Sequence, residues 1–191
     1  AFCAGSDLAS GGDTWGKHSE HLASQSDAER YLGDGGGRVT RRIFDFNKPV
    51  IAAINGPAVG VGLTMTLAMD MRLSVPNTKL GFVFAGRGIL PEACSTWFLP
   101  RLVGISKALE WSYSARVFRA EEGLQAGLLR SLHEPEALLP AARGLAQEFI
   151  DNLFFKSNYY DLSGVGRLKI NQRLGVTSAP DLSILRKEDI L

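Results

Sequence analysis

Residues 50–63 read Val50-Ile51-Ala52-Ala53-Ile54-Asn55-Gly56-Pro57-Ala58-Val59-Gly60-Val61-Gly62-Leu63. The first five form an apolar run between Lys48-Pro49 and Asn55-Gly56, the pattern of a short buried strand. After Gly62 the pattern turns helical, with Leu63, Leu67 and Ala68 and no breaker between them. The unit is therefore strand, glycine turn, helix. Such a turn leaves bare backbone N–H groups at a helix N-terminus, where they and the helix dipole stabilise negative charge. Three uses compete. A dinucleotide site would need a third glycine where Met65 stands, and a phosphate loop would need a lysine that is absent. An oxyanion hole would use the N–H groups on a thioester enolate or a tetrahedral intermediate. Tight packing of a helix on a strand needs small residues and no chemistry at all.

Outward from this unit, Met71 to Val75 reads as a second strand ended by Pro76-Asn77, and Lys79 to Phe84 as a third extended piece. Pro91-Glu92 reads as the opening of a helix, with proline in the first turn and an acid near the positive end. Ser106 reads as the cap of a helix to about Arg116. Glu121 to Ala126 is expected as a short helix, Leu128 to Leu132 as a strand, and Pro135 to Asp151 as a long amphipathic helix. Before the unit, Gly11-Gly12 and Gly33, Gly35-Gly36-Gly37 flank a polar stretch. It reads as a loop with a helix at about Ser26 to Leu32. Alternating strands and helices argue an α/β fold with parallel pairing.

The chain's 191 residues fit one domain, or one domain and a fragment. Its 21 basic and 20 acidic residues give no global attraction to nucleic acid or to an anionic membrane. No apolar run is long enough to span a bilayer. The first residues lack the basic and apolar segments of a signal peptide, and no initiator Met is present. The expectation is a cytoplasmic chain that begins inside a longer one. Cys3 and Cys94 are too few for a disulfide framework or a metal site. His18 and His21 stand in the polar stretch without matching ligands and read as solvated, and Trp15 beside them reads as an acyl-pocket cover or a local packing residue. No metal is expected.

Several runs together resemble the crotonase (enoyl-CoA hydratase/isomerase) superfamily. Ala1-Phe2-Cys3-Ala4-Gly5-Ser6-Asp7-Leu8 is similar to its first oxyanion segment, and Asn47 to Gly62 to its second. Met69-Asp70-Met71-Arg72 and Leu99-Pro100-Arg101-Leu102-Val103-Gly104 match in place. The resemblance covers residues 1–151. It implies a partial ClpP/crotonase-like fold of repeated ββα units lacking its N-terminal strands, and a homo-oligomer, trimer or hexamer. The partner it implies is an acyl-CoA substrate, so coenzyme A belongs to the substrate and no separate cofactor is expected. By position the oxyanion N–H donors are those of Ser6 and Val61. Ala4, Gly5, Asp7, Gly60, Phe84 and Leu90 are implied as substrate-binding residues.

Hydratases of this family use two glutamates around one water. The resemblance places them where this chain has Thr64 and Phe84. A hydroxyl and a phenyl ring cannot share acid and base work. One acid stands nearby, Glu92 in Leu90-Pro91-Glu92-Ala93-Cys94-Ser95. There the chain resembles Δ3,Δ2-enoyl-CoA isomerases, whose single glutamate moves one proton from C2 to C4 while the oxyanion hole holds a dienolate. The implied catalytic residue is Glu92, and an apolar surround of Phe82, Phe84, Ile89 and Leu90 would raise its pKa. The bland reading of Glu92 is an acid favouring the helix dipole. Likewise Cys94 reads as a small hydrophobe, Trp97 and Phe98 as core, and Arg87 and Arg101 as surface arginines or CoA-phosphate contacts.

From Asp151 the text changes. Tyr160-Asp161-Leu162-Ser163 and Gly166-Arg167-Leu168-Lys169-Ile170-Asn171 resemble part of the bacterial RNA polymerase β subunit. Residues 152–191 are expected as a short non-crotonase, α-rich tail, too small for a core of its own and without polymerase chemistry. Its six basic and five acidic residues, counted with Asp151, give no strong phosphate footprint, so nucleic acid is not an expected partner. Of the 21 glycines, 18 lie in residues 1–150. The expectation is two truncated pieces. The first is an enoyl-CoA isomerase, with an enoyl-CoA hydratase or a non-catalytic acyl-CoA-binding or oligomerisation module as alternatives.

Overall fold

The computed structural model describes residues 1–6, 35–46 and 48–157, with the side chains described as far as Asp151. Asp7, Trp15, His18, His21, the helix expected at Ser26 to Leu32, and the polymerase-like run lie outside the described residues.

Helix α1 (Gly35–Phe44) is the first element. Sequence reading placed its three glycines in a loop; they form its first turn instead. Gly37, Thr40 and Phe44 share one face, and Ile43 and Phe44 pack against the core, so burial outweighs the glycines' poor helix propensity. Strand β1 (Ile51–Ile54) follows, then β2 (Ala58–Val59). Helix α2 (Val61–Thr64) is a single turn that tightens into a 3-10 turn, Met65–Ala68. Strands β3 (Met71–Ser74) and β4 (Lys79–Gly81) come next, then helices α3 (Ser95–Val103) and α4 (Ile105–Ser114). Strand β5 (Val117–Arg119), helix α5 (Ala120–Gln125), strand β6 (Ser131–Leu132) and helix α6 (Pro135–Ser157) complete the described elements.

Two three-stranded sheets result. In one, β3 lies between β1 and β6 with both pairings parallel, Ile51 opposite Met71 and Ser74 opposite Leu132. In the other, β4 pairs parallel with β2 and antiparallel with β5. Cys3 adds a parallel bridge to Ala58 at the outer edge of β2. The first sheet is covered on both faces. Ala52 and Ile54 point into the main core, while Ile51, Ala53, Leu73 and Val75 pack with Leu138, Ala142 and Leu145 of α6. Burial on both sides is why β1 reads as a continuous apolar run rather than an alternating one. In the main core Trp111 stacks on Phe118 with centroids 4.0 Å apart.

Several boundaries differ from the sequence reading, among them the end of α6, which runs to Ser157 rather than Asp151. β4 ends at Gly81 because its partner β5 begins at Val117, opposite it. The Leu128 and Leu129 N–H groups turn back onto the Gly123 carbonyl, leaving only Ser131–Leu132 to pair with β3. Ser106 does not cap α4; Gly104 precedes the helix with φ 79° and no side-chain cap. The helix expected at Pro91 begins four residues later, at Ser95.

Candidate active site

The two glycine-rich segments meet at β2. The Phe2 and Cys3 N–H groups donate to the Pro57 carbonyl at 3.0 and 3.1 Å, and the Val59 N–H donates to the Cys3 carbonyl at 3.0 Å. Gly5 has φ 89°, and a Cβ there would stand 2.9 Å from the Val59 carbonyl oxygen. Gly60 has φ 58° and ψ −130°, a conformation for which a Cβ is poorly suited. Its N–H donates to the Gly81 carbonyl at 3.0 Å, which fastens the turn to β4. Its own carbonyl accepts from Leu63 and Thr64 at 2.9 and 3.0 Å, starting α2. Val61 is the first residue of α2, so its N–H has no acceptor within the helix. Ser6 follows the positive-φ Gly5 at the end of the neighbouring segment. The segments that carry the two implied donors, residues 1–6 and the turn after β2, are thus tied together by these hydrogen bonds.

Glu92 lies ahead of α3 rather than in its first turn. Its carbonyl accepts from the Ser95 N–H at 3.0 Å, and Ala93 and Cys94 both take left-handed backbone conformations, φ 55° and 56°. The helix-dipole reading of Glu92 is therefore corrected: the residue stands on a strained bend, not on a helix. The Thr64 hydroxyl donates to Glu92 Oε1 at 2.9 Å. Thr64 is fully buried and lies one helical turn, about 5 Å of rise, beyond Val61. The hydrogen bond thus brings a carboxylate to the turn that holds the candidate oxyanion donor. Sequence reading named Thr64 only as a missing carboxylate; the polar side chain at a buried helical position was the available signal.

The other expected residues divide. Phe84 is buried and its carbonyl accepts from Arg87 and Ile89, closing the turn at 84–89. Ile89 and Cys94 pack against the core, whereas Leu90 is 83% exposed. Phe82 is engaged with Trp111 and Phe118. Ala4 is exposed and Gly60 buried. The Arg101 guanidinium lies over the Trp97 ring, 3.9 Å from its centroid, and donates to the Trp97 carbonyl. Trp97 and Phe98 form an edge-to-face cluster with Phe44, as core residues do. Phe44 was not foreseen in that cluster. Arg72, also not singled out by side-chain role, is buried and holds the floor of the turn. It donates to the carbonyls of Leu128 at 2.7 Å, Met69 at 2.8 Å and Thr66 at 3.1 Å.

A glycine turn after a strand that pairs in parallel, a helix N-terminus behind it and a carboxylate hydrogen-bonded beside it mark an α/β protein with a candidate site at the end of β2. Residues 1–156 match the enoyl-CoA hydratase/isomerase family model, and the chain belongs to that family. It is 40% identical over 152 residues to an enoyl-CoA hydratase of Alternaria alternata, a match covering 79% of this chain and 48% of that protein. It is 36% identical over 146 residues to a crotonyl-CoA hydratase of Syntrophomonas wolfei, covering 76% and 52%. The solved enoyl-CoA hydratase/isomerase of Cupriavidus metallidurans superposes with a TM-score of 0.69 at 27% identity, covering 86% of this chain and 59% of that one. The chain spans about half the length of the curated relatives it matches. The mixed α/β, crotonase-type fold read from the motifs is the fold of the described residues. No described helix is long and apolar enough to cross a membrane.

Proposed function

We propose that this chain carries the proton-transfer site of an acyl-CoA isomerase, shifting the double bond of a 3-enoyl-CoA to the 2-position. Glu92 removes a proton from C2. The electron pair moves into the carbonyl of the thioester, giving a dienolate. The backbone N–H groups of Ser6 and Val61 hold its oxygen, where preorganised donors are worth most. Glu92 then delivers the proton to C4, and the double bond lies between C2 and C3. One carboxylate suffices because the same group acts as base and then as acid. The observation that supports this reading is the Thr64–Glu92 hydrogen bond, which joins the carboxylate to the helical turn starting at Val61. The acyl-CoA partner and a trimeric or hexameric assembly go with the family reading.

A second reading, hydration of a 2-enoyl-CoA, is favoured by the names of the relatives in Alternaria and Syntrophomonas. Against it stand Thr64 and Phe84, neither of which can serve as general base or general acid towards a water at neutral pH. The two are separated by offering the chain both substrates and following deuterium exchange at C2 and hydration of the double bond. Exchange into 3-enoyl-CoA that is lost in a folded Glu92→Gln variant supports the isomerase. Water addition to 2-enoyl-CoA returns the hydratase, and acyl-CoA binding without either reaction leaves a binding module.

A further inference from the structure

Thr64 is fully buried, and its hydroxyl is spent in an unusual direction. A threonine in a helical turn ordinarily returns its hydroxyl to the carbonyl three or four residues back. Thr66 does this, donating to the Leu63 carbonyl at 2.7 Å. The carbonyl four residues before Thr64, that of Gly60, instead receives the backbone N–H groups of Leu63 and Thr64. The Thr64 hydroxyl reaches across 28 residues of sequence to Glu92 Oε1. Its backbone is thus fastened to the glycine turn and its side chain to the carboxylate. Glu92 has no helix beneath it, since α3 begins only at Ser95 and the two residues between are in left-handed conformations.

We propose that Thr64 is a positioning residue of the Glu92 carboxylate, tying it to the same turn that presents the Val61 N–H so that base and oxyanion donor keep one geometry. The inference rests on Glu92 being the base. A double-bond shift makes a particular demand on such a base. It must take a proton at C2 and deliver it at C4 of the same substrate, two carbons away. A carboxylate held in one plane by a buried donor returns the proton it took. A carboxylate that has lost this donor turns more freely on its remaining contacts and exchanges more of that proton with solvent before C4 receives it. The Thr64 hydroxyl therefore governs how much of the C2 hydrogen arrives at C4, and not only the rate.

The test uses the full chain with a 3-enoyl-CoA deuterated at C2, measuring kcat, KM and the fraction of deuterium delivered to C4. Thr64→Val keeps shape and volume but removes the donor. It is expected to lower kcat by roughly 10- to 100-fold, as a misplaced catalytic group does, with KM unchanged. The deuterium delivered to C4 falls at the same time. Thr64→Ser restores the donor and recovers both quantities. Thr64→Cys, a weaker donor of similar size, falls between them and serves as the second measure should the valine variant unfold. If Thr64→Val matches the parent in rate and label transfer while Glu92→Gln is inactive, the role of Thr64 is overturned and that of Glu92 stands. If serine and valine are equally impaired, packing rather than the hydroxyl matters and the proposal falls. If Glu92→Gln turns over normally, the reading of Glu92 as base falls, and this inference with it.

Discussion

Gly62 lies so close to Cys3 that a Cβ on it would stand 2.2 Å from the Cys3 carbonyl oxygen and 2.7 Å from the Cys3 Cβ. The contact is with backbone that is itself bonded to Val59, so neither side can yield by a simple rotamer change. Gly62→Ala is expected to push residues 1–6 off the edge of β2 and to cost about 1–3 kcal/mol of stability, the range for overpacking. Gly60→Ala meets nothing within 4 Å and acts through backbone strain alone. Its cost should be of similar size, about 1–3 kcal/mol, but without displacing Cys3. Urea unfolding gives the two costs. Cys3 labelling by a thiol reagent separates the mechanisms: faster labelling in the Gly62 variant and not in the Gly60 variant is the expected outcome.

Arg72 carries a second structural prediction. Its guanidinium serves three carbonyls, those of Thr66, Met69 and Leu128, from a buried position. Arg72→Met keeps the apolar stem and takes the side-chain donor from the Leu128 and Met69 carbonyls, while the Thr66 carbonyl keeps the Met69 N–H at 3.1 Å. A loss of roughly 2–5 kcal/mol is expected in urea unfolding, from buried groups left unsatisfied. Arg72→Lys should recover only part of it, because an ammonium cannot reproduce the planar fork that reaches Leu128 and Thr66 together. Equal stability of the methionine variant and the parent would remove Arg72 as a brace of the turn.

What could be read ahead of the structure followed from local chemistry. The Gly60–Gly62 turn was legible because glycines interrupt an apolar run, and Gly62 is where another backbone crosses. Glu92 was singled out through the family resemblance, but its structural setting was not legible. Pro91-Glu92 has the composition of a helix start, and nothing in alanine or cysteine announces the left-handed conformations of Ala93 and Cys94. Helix α1 was hidden by its glycine triplet, because the packing of Ile43 and Phe44 that offsets poor propensity is made against distant parts of the chain. The Thr64–Glu92 contact joins residues 28 apart and has no local signature. Pairing across such distances is decided by packing, which a single sequence does not display.

Acid should loosen the corner formed by α4, β5 and α5. The Arg116 guanidinium hydrogen-bonds Glu122 and, with help from the Trp111 indole N–H, lowers the Glu122 pKa from 4.5 to about 2, against the opposing effect of burial. A carboxylate whose folded pKa lies below its unfolded value binds protons more readily when unfolded. Its contribution is complete above about pH 4.5 and is lost as the pH falls towards 2. Glu122→Gln keeps an acceptor for Trp111 and removes the charge. The stability gap between parent and variant should be largest above pH 5 and should close progressively between about pH 4.5 and 2. A gap that stays constant across that window would mean that the charge contributes nothing beyond the hydrogen bond.

If Glu92 is the base proposed above, the strained bend after it links stability to chemistry. Ala93 is fully buried and Cys94 partly so, yet both hold left-handed φ values that cost a residue with a Cβ about 1–2 kcal/mol each. Glycine at both positions relieves that cost while deleting a methyl and a thiol from the core. Because the two effects oppose, Ala93→Gly/Cys94→Gly is expected to unfold at the same or a higher urea concentration than the parent, unlike an ordinary buried truncation, which costs stability. The same change frees the backbone that aims Glu92. Proton exchange at C2 of a 3-enoyl-CoA should therefore slow by roughly tenfold or more through lost alignment of the carboxylate. A variant that loses stability but exchanges at the parent's rate would show that the bend serves packing alone. Retained stability with slowed exchange is the outcome expected if the strain is held for the sake of the carboxylate.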